Sequence, residues 1–254
     1  MSTATRIIKN SGFLYIRMIV SVIVGLYSTR LILASLGASD FGVFNIVGGA
    51  IAMLGFLNVT MTNATQRYMS FAEGEGNLEN KRKVFNVSMI LHALVAFITI
   101  IVLLIAMIPL FNGILNILPE RVFAAKVIYL SLVISTAFTI VNVPYDAVMN
   151  AHENMLYYSI IGIMESILKL LIAFACVYIS CDKLILYGIL MAITPLITLS
   201  IMKFYCHHKY SECRYSLIKY WDKALVKSIA SYYGWNFLTA ISSLISSYGG
   251  SLVM

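Results

Sequence analysis

Long uninterrupted apolar runs limit this chain more than any other feature. Residues 12–34 and 43–64 are two such runs, joined by the short stretch 35–42 that holds Gly37, Asp40 and Gly42. Each is about 20 residues long, enough at ~1.5 Å per residue to cross a hydrocarbon core roughly 30 Å thick. Further runs follow at 84–108, 125–149, 156–179, 184–202 and 230–254. None alternates in polarity as a barrel strand would, so the spans are read as helices. Only 11% of the 254 residues are charged and 60% are hydrophobic, against ~25% charged in soluble domains, and the mean hydropathy is +0.88. A soluble globular fold is excluded. The fold class expected is all-α, a polytopic membrane helical bundle.

The polar segments give the orientation. An N-terminus on the cytoplasmic side places Arg6, Lys9, Arg67, Lys81, Arg82, Lys83, Lys203, Lys209, Arg214, Lys219, Lys223 and Lys227 inside. Arg121, Lys126 and Lys183 then lie outside, with Arg30 at the border. Cytoplasmic loops of membrane proteins collect basic residues. The net charge of +7 is therefore a topology signal, and nucleic acid is not expected as a partner. The glycine-rich, charged stretch 72–83 and the basic stretch 203–228 are expected to be cytoplasmic loops. No small-residue cleavage site follows the first run, so it is read as a retained span. Residues 1–229 form a six-helix lobe with its cytoplasmic loop at 203–229. Residues 230–254 begin a seventh helix, and the absence of a closing polar boundary there gives the expectation of a truncated chain with a second lobe missing.

The intramembrane polar residues are the candidates for function, because an ionisable group at membrane depth costs at least ~2.5 kcal/mol and needs a partner or a wet cavity. Arg17 and Arg30 lie within or at the edge of the first run. Asp146 follows Pro144 and Tyr145 near the inner end of the fourth, at a depth like that of Arg17. The two can pair, which makes Arg17 structural. Alternatively Arg17 is free in a cavity, where its planar fork suits phosphate. Glu165 and Lys169 share one face of the fifth span, either as a mutual ion pair or as a cavity-lining pair. Asn58, Thr60, Thr62, Asn63 and Thr65 make the end of the second run polar, as a cavity wall or as helix–helix hydrogen bonds. Asp40-Phe41-Gly42 looks like a kinase metal-binding triplet but has no kinase context; Asp40 is expected to cap the second helix. The sequons at Asn58, Asn63 and Asn86 lie in or against spans and are rejected as glycosylation acceptors. Cys206, His207, His208 and Cys213 are read as a basic loop, not a metal site. No enzyme signature, metal set or cofactor motif is present, and the residues alone indicate a helical transporter or channel with a cationic, polar interior.

The stretch Tyr27–Asn45, containing Arg30-Leu-Ile-Leu-Ala-Ser-Leu-Gly-Ala-Ser-Asp-Phe-Gly42, resembles the Wzx-type oligosaccharide flippases. So do Met61–Ser70, Asn142-Val-Pro-Tyr145 with 147–153, and Tyr233-Gly-Trp-Asn236. The resemblance implies membership of the multidrug/oligosaccharidyl-lipid/polysaccharide exporter superfamily, with two six-helix lobes around a cationic cavity. It implies no enzymatic activity and no cofactor. It implies transport of an undecaprenyl-pyrophosphate-linked oligosaccharide across the cytoplasmic membrane, in contact with membrane lipids and other polysaccharide assembly proteins. In the related lipid II flippases an arginine of the first helix is thought to meet the pyrophosphate, and Arg17 is the nearest match. A drug/cation antiporter of the same superfamily and a non-transporting membrane subunit are the alternatives.

Overall fold

The computed structural model describes residues 3–52, 55–179, 181–216 and 219–252. Seven helices account for most of these residues: α1 (Thr3–Ala52), α2 (Gly55–Glu75), α3 (Leu78–Pro109), α4 (Val122–Ala151), α5 (Met155–Tyr178), α6 (Lys183–Lys209) and α7 (Lys223–Leu252). No strand occurs among the described residues. Among the described residues five segments are long and apolar enough to cross a membrane: Ala4–Ala52, Leu78–Ile114, Pro119–Ala151, Met155–Tyr178 and Lys183–Lys209. The molecule is an all-α membrane helical bundle.

The turn expected at 35–42 reduces to one residue. Gly37 has φ 76° and ψ 169°, a conformation that side-chain-bearing residues avoid, and helical geometry resumes after it. The contacts show that the chain reverses there. Arg6 pairs with Glu153 at one end of the bundle, at 2.7 Å. Asp40 pairs with Arg121 at the other end, at 2.9 Å, and Glu73 lies near His152 back at the first. Asp40 was expected to cap a helix, but its carboxylate meets the Arg121 guanidinium, which also binds Asp182 at 2.9 Å. The expected second span, 43–64, is divided between α1 and α2, and residues 53–54 within it lie outside the described residues.

The expected solvated loops are mostly helix. α2 runs to Glu75 and α3 starts at Leu78, so only Gly76 and Asn77 separate them. Gly76 has φ 68°, and the Asn77 side chain accepts from the N–H groups of Glu79 and Asn80. Residues 203–209 continue α6, where Lys209 in the last turn complements the negative end of its dipole. Residues 223–228 already belong to α7, capped by Asp222, which accepts from Ala224 N–H and Leu225 N–H.

α4 packs most extensively on α6, and α1 on α5. Apolar burial gives little drive between helices in lipid, so close approach depends on small residues and hydrogen bonds. At Gly188 of α6 an added Cβ would come within 2.8 Å of the Ile128 side chain and 3.2 Å of its backbone. One apolar cluster, with Met69, Phe85, Tyr145, Val148 and Met202, fills the end near Arg6. A second, with Val47, Leu103, Ile128, Tyr129 and Leu184, fills the opposite end. There the buried Tyr129 hydroxyl donates to the Leu103 carbonyl at 2.7 Å. The outward face of α1 exposes Ile16, Ile19, Ile23 and Leu26, as a surface that meets lipid or another protein does.

Candidate functional site

The polar interior is built where α1 crosses α5. Arg17, Ser21 and Ser28 recur on one face of α1, and Tyr158, Gly162, Glu165, Ser166 and Lys169 recur at helical spacing on one face of α5. Ser21 Oγ and Ser166 Oγ share a hydrogen bond of 2.9 Å, and Ser166 Oγ donates to the Gly162 carbonyl at 3.0 Å. The guanidinium of Arg17 lies 4.4 Å from the centre of the Tyr158 ring, a cation–π contact. It also lies directly over Gly162, where a Cβ would come within 2.8 Å of Arg17 Cδ and 2.6 Å of its Cζ and would collide with Nε. The glycine therefore makes the seat in which the arginine rests.

Arg17, Gly162 and Glu165 separate two cavities. The larger, about 440 Å³, is walled by α1, α5 and α6 and includes Ser28, Asn45, Lys169 and Tyr187. The smaller, about 140 Å³, reaches α4 and includes Asn142, Asp146 and Thr198. Lys169 Nζ donates to Glu165 Oε1 at 2.6 Å, with both side chains partly open. Asn142 Nδ2 donates to Asp146 Oδ2 at 3.1 Å. Arg17 and Asp146 border the same small cavity and feel each other's charge, yet among the described residues no ion pair joins Arg17 to a carboxylate. Its fork lies over an aromatic ring and a glycine, open to a third party. A guanidinium held this way can bind an anion bidentately.

Arg17, Asp146, Glu165 and Lys169 are thus brought together, and the other candidates are elsewhere. Arg30 is exposed and borders neither cavity. Asn58 is half-buried and Asn63 exposed on α2, away from both cavities. In their neighbourhood Thr62 Oγ1 donates to the Asn58 carbonyl of its own helix at 2.7 Å, and Thr65 Oγ1 bonds Tyr233 of α7 at 2.7 Å. Cys206 and Cys213 are buried as free thiols.

Two features escaped the sequence reading. Tyr158 and Gly162, which hold Arg17, continue the stripe begun by Glu165 and Lys169, and extending that spacing backwards would have found them. At the end near Arg6, Glu73, His152 and Glu212 converge with ligand atoms within 4.8 Å of one another. They come from three elements far apart in sequence, so no spacing could signal them.

No family model and no curated protein matches the sequence. Two solved structures match the fold. One is a multidrug resistance MATE family transporter of the MOP superfamily in an outward-facing conformation. It superposes with a TM-score of 0.80 at 15% identity, over 96% of this chain and 54% of that one. The other is a MOP superfamily transporter from Pyrococcus furiosus Vc1 (DSM3638), for which a reversed polarity of the binding pocket suggests a different function. Its TM-score is 0.70 at 12% identity, over 94% of this chain and 54% of that one. The chain spans about half the length of these transporters and has the fold of that half.

Proposed function

We propose that this chain forms part of a transporter that carries an undecaprenyl-pyrophosphate-linked oligosaccharide across the cytoplasmic membrane by alternating access, with its N-terminus in the cytoplasm. The observation that carries the reading is the seat of Arg17: a guanidinium within the first apolar run, with no carboxylate paired to it among the described residues, facing a 440 Å³ cavity. Among the described residues, the charged groups lining that cavity are Arg17, Lys169 and Glu165. Lys169 and Glu165 neutralise each other at 2.6 Å, and the formal balance is one positive charge. That environment suits a pyrophosphate and disfavours a drug cation. The resemblance of Tyr27–Asn45 and Asn142–Tyr145 to oligosaccharide flippases points the same way. In the Pyrococcus protein, too, pocket polarity is the feature that suggests a change of function. The multidrug function belongs to the other matched protein. A cation antiporter draws on Asp146, whose carboxylate lines the smaller cavity with Asn142 as its donor.

The test is surface polysaccharide in a host that depends on this gene, expressed from its complete reading frame. Arg17→Ala should abolish surface polysaccharide with the protein still in the membrane. Arg17→Lys keeps the charge, loses the bidentate fork and should leave a partial defect. Normal polysaccharide in Arg17→Ala refutes the assignment. Restoration by Arg17→Ala/Asp146→Ala would show instead that Arg17 neutralises Asp146, since removing both leaves no stranded charge.

A further inference from the structure

The two ends of the bundle are tied by different chemistry. At the end with Asp40, the Arg121 guanidinium bridges the Asp40 and Asp182 carboxylates at 2.9 Å each. A guanidinium does not lose its proton at any physiological pH. At the end with Arg6, Arg82 Nε donates to the Ser211 carbonyl at 3.2 Å and Asn86 holds residues 214 and 216, and beside these fixed ties one further tie passes through a histidine. His152 sits at the turn between α4 and α5, and each of its ring nitrogens faces a carboxylate from a different element. Nδ1 is 3.5 Å from Glu73 Oε1 on the last turn of α2. Nε2 is hydrogen-bonded to Glu212 Oε1 in the 3₁₀ turn Ser211–Cys213 that follows α6. The ring stacks flat on Tyr210, with centroids 4.2 Å apart and planes 9° apart, so its orientation is fixed.

We propose that Glu73, His152 and Glu212 form a proton-operated latch, closed while the imidazole is protonated at both nitrogens and released when it loses one proton. Only the imidazolium can donate to both carboxylates at once; neutral imidazole has one N–H and leaves one carboxylate facing a lone pair. The charges agree. Glu73 and Glu212 bring two negative charges, and Lys81 Nζ, 2.6 Å from Glu73 Oε2, brings one positive. The imidazolium balances the remainder, and its loss strands a negative charge beside Glu212, whose side chain is only 4% exposed. Glu153, next in sequence, is engaged by Arg6 at 2.7 Å and by Asn10, and so does not compete for the ring. Burial by itself would raise the Glu212 carboxyl, but the hydrogen bond from His152, a backbone bond and the charges of His152 and Lys81 hold it below its ordinary range. It therefore stays an acceptor across the range where histidines titrate.

The same three side chains are types that hold metals, with one ligand atom from each within 4.8 Å of the others. What favours the proton is that each ring nitrogen already faces a carboxylate, with the ring stacked on Tyr210. A dication would also meet the Lys81 ammonium already bound to Glu73. A proton needs no rearrangement. The consequence is an asymmetric bundle: rising pH loosens the join of α2, the α4–α5 turn and the 210–216 segment, and leaves the Arg121 end closed.

Hydrogen exchange of the purified protein, followed from about pH 5.5 to about 8.5 and corrected for intrinsic exchange, tests this. Protection of residues 210–216 is expected to fall about tenfold as the pH rises over that interval, as for loss of one charge-assisted hydrogen bond. Residues 119–124, at the Arg121 end, serve as the internal control and should not change. His152→Gln should remove the pH dependence. Should it fail to fold, Glu73→Gln and Glu212→Gln should each shrink the pH-dependent change. Wild-type protection that is flat with pH overturns the proposal, and so does a His152→Gln protein, or both glutamine variants, titrating like the wild type. Protection at high pH that is restored by zinc and lost again with chelator also overturns it, in favour of a metal.

Discussion

The seat of Arg17 makes a prediction in which a single substitution changes sign with its background. Gly162→Ala places a methyl group where Arg17 Cδ and Cζ lie within 2.8 and 2.6 Å. In an open helix the change would stabilise by up to ~1 kcal/mol, because glycine is the poorer helix former. Here overpacking costs about 1–3 kcal/mol. Displacing the guanidinium from its place 4.4 Å above Tyr158 costs a further ~0.5–2 kcal/mol. The net loss is about 0.5–4 kcal/mol, which in a chain of this size lowers the melting midpoint by about 1–16 °C. With Arg17→Ala the obstruction is gone, and adding Gly162→Ala should raise the midpoint by about 2–4 °C. The assay is a double-mutant cycle of thermal unfolding in one detergent and lipid mixture, with a coupling of about 1.5–5 kcal/mol expected, the sum of the overpacking and cation–π costs. A Gly162→Ala effect of the same sign and size in both backgrounds would refute the seat, and with it the claim that Gly162 is there to admit the arginine.

Arg121→Ala should cost about 1 kcal/mol. Its side chain is 38% exposed, so each of its two bridges is discounted for screening. Thermal unfolding at low and high salt checks this, and the deficit should shrink as salt rises. For topology, a membrane-impermeant thiol reagent added to intact cells should label the exposed native Cys181 and, in a background free of the native cysteines, leave a cysteine substituted for Lys81 or Lys219 unlabelled. Labelling from outside through Lys81→Cys would invert the orientation.

What the sequence revealed, and what it hid, follows from the range of the physics. Spans are composition along a continuous stretch, and of the seven read from it, five membrane-length segments occur among the described residues, while 43–64 and 230–254 are not separate segments of that kind; the sharp turn near Gly37 was legible too. Helix ends were misplaced where charge was taken for loop: Lys203, His207, His208 and Lys209 lie on α6 because a helix longer than the hydrocarbon core can carry its basic last turn beyond it. Glu165 and Lys169 were found because helical spacing is visible in sequence. The partner of Arg17 was left open between Asp146 and a cavity, because that depends on which helices are neighbours. α1 packs mainly on α5, so the arginine meets Tyr158 and Gly162 first. The polar run on α2 looked like cavity wall or helix glue in equal measure, and Thr65 with Tyr233 supplies a bond of the second kind.

The charge balance of the larger cavity separates the two transport readings through Glu165. Its carboxylate accepts from Lys169 at 2.6 Å and offsets that ammonium. Glu165→Gln keeps the shape and an acceptor for Lys169, and raises the formal charge of the lining from one positive to two. At a separation of ~7 Å and an effective dielectric near ~20, one unit charge is worth about 2.4 kcal/mol to a singly charged ligand group. Glu165 and Lys169 are 33% and 43% exposed, and screening at that exposure reduces the figure to about 1 kcal/mol, roughly fivefold in affinity. If the cavity receives a pyrophosphate, a short polyprenyl pyrophosphate should bind about fivefold more tightly to Glu165→Gln, and a lipophilic cation should gain nothing. If the cavity receives a cation, the cation should bind about fivefold more weakly and the pyrophosphate should not respond. The second outcome would overturn the oligosaccharide-lipid reading, because attraction to an anion must grow when the carboxylate facing it is removed.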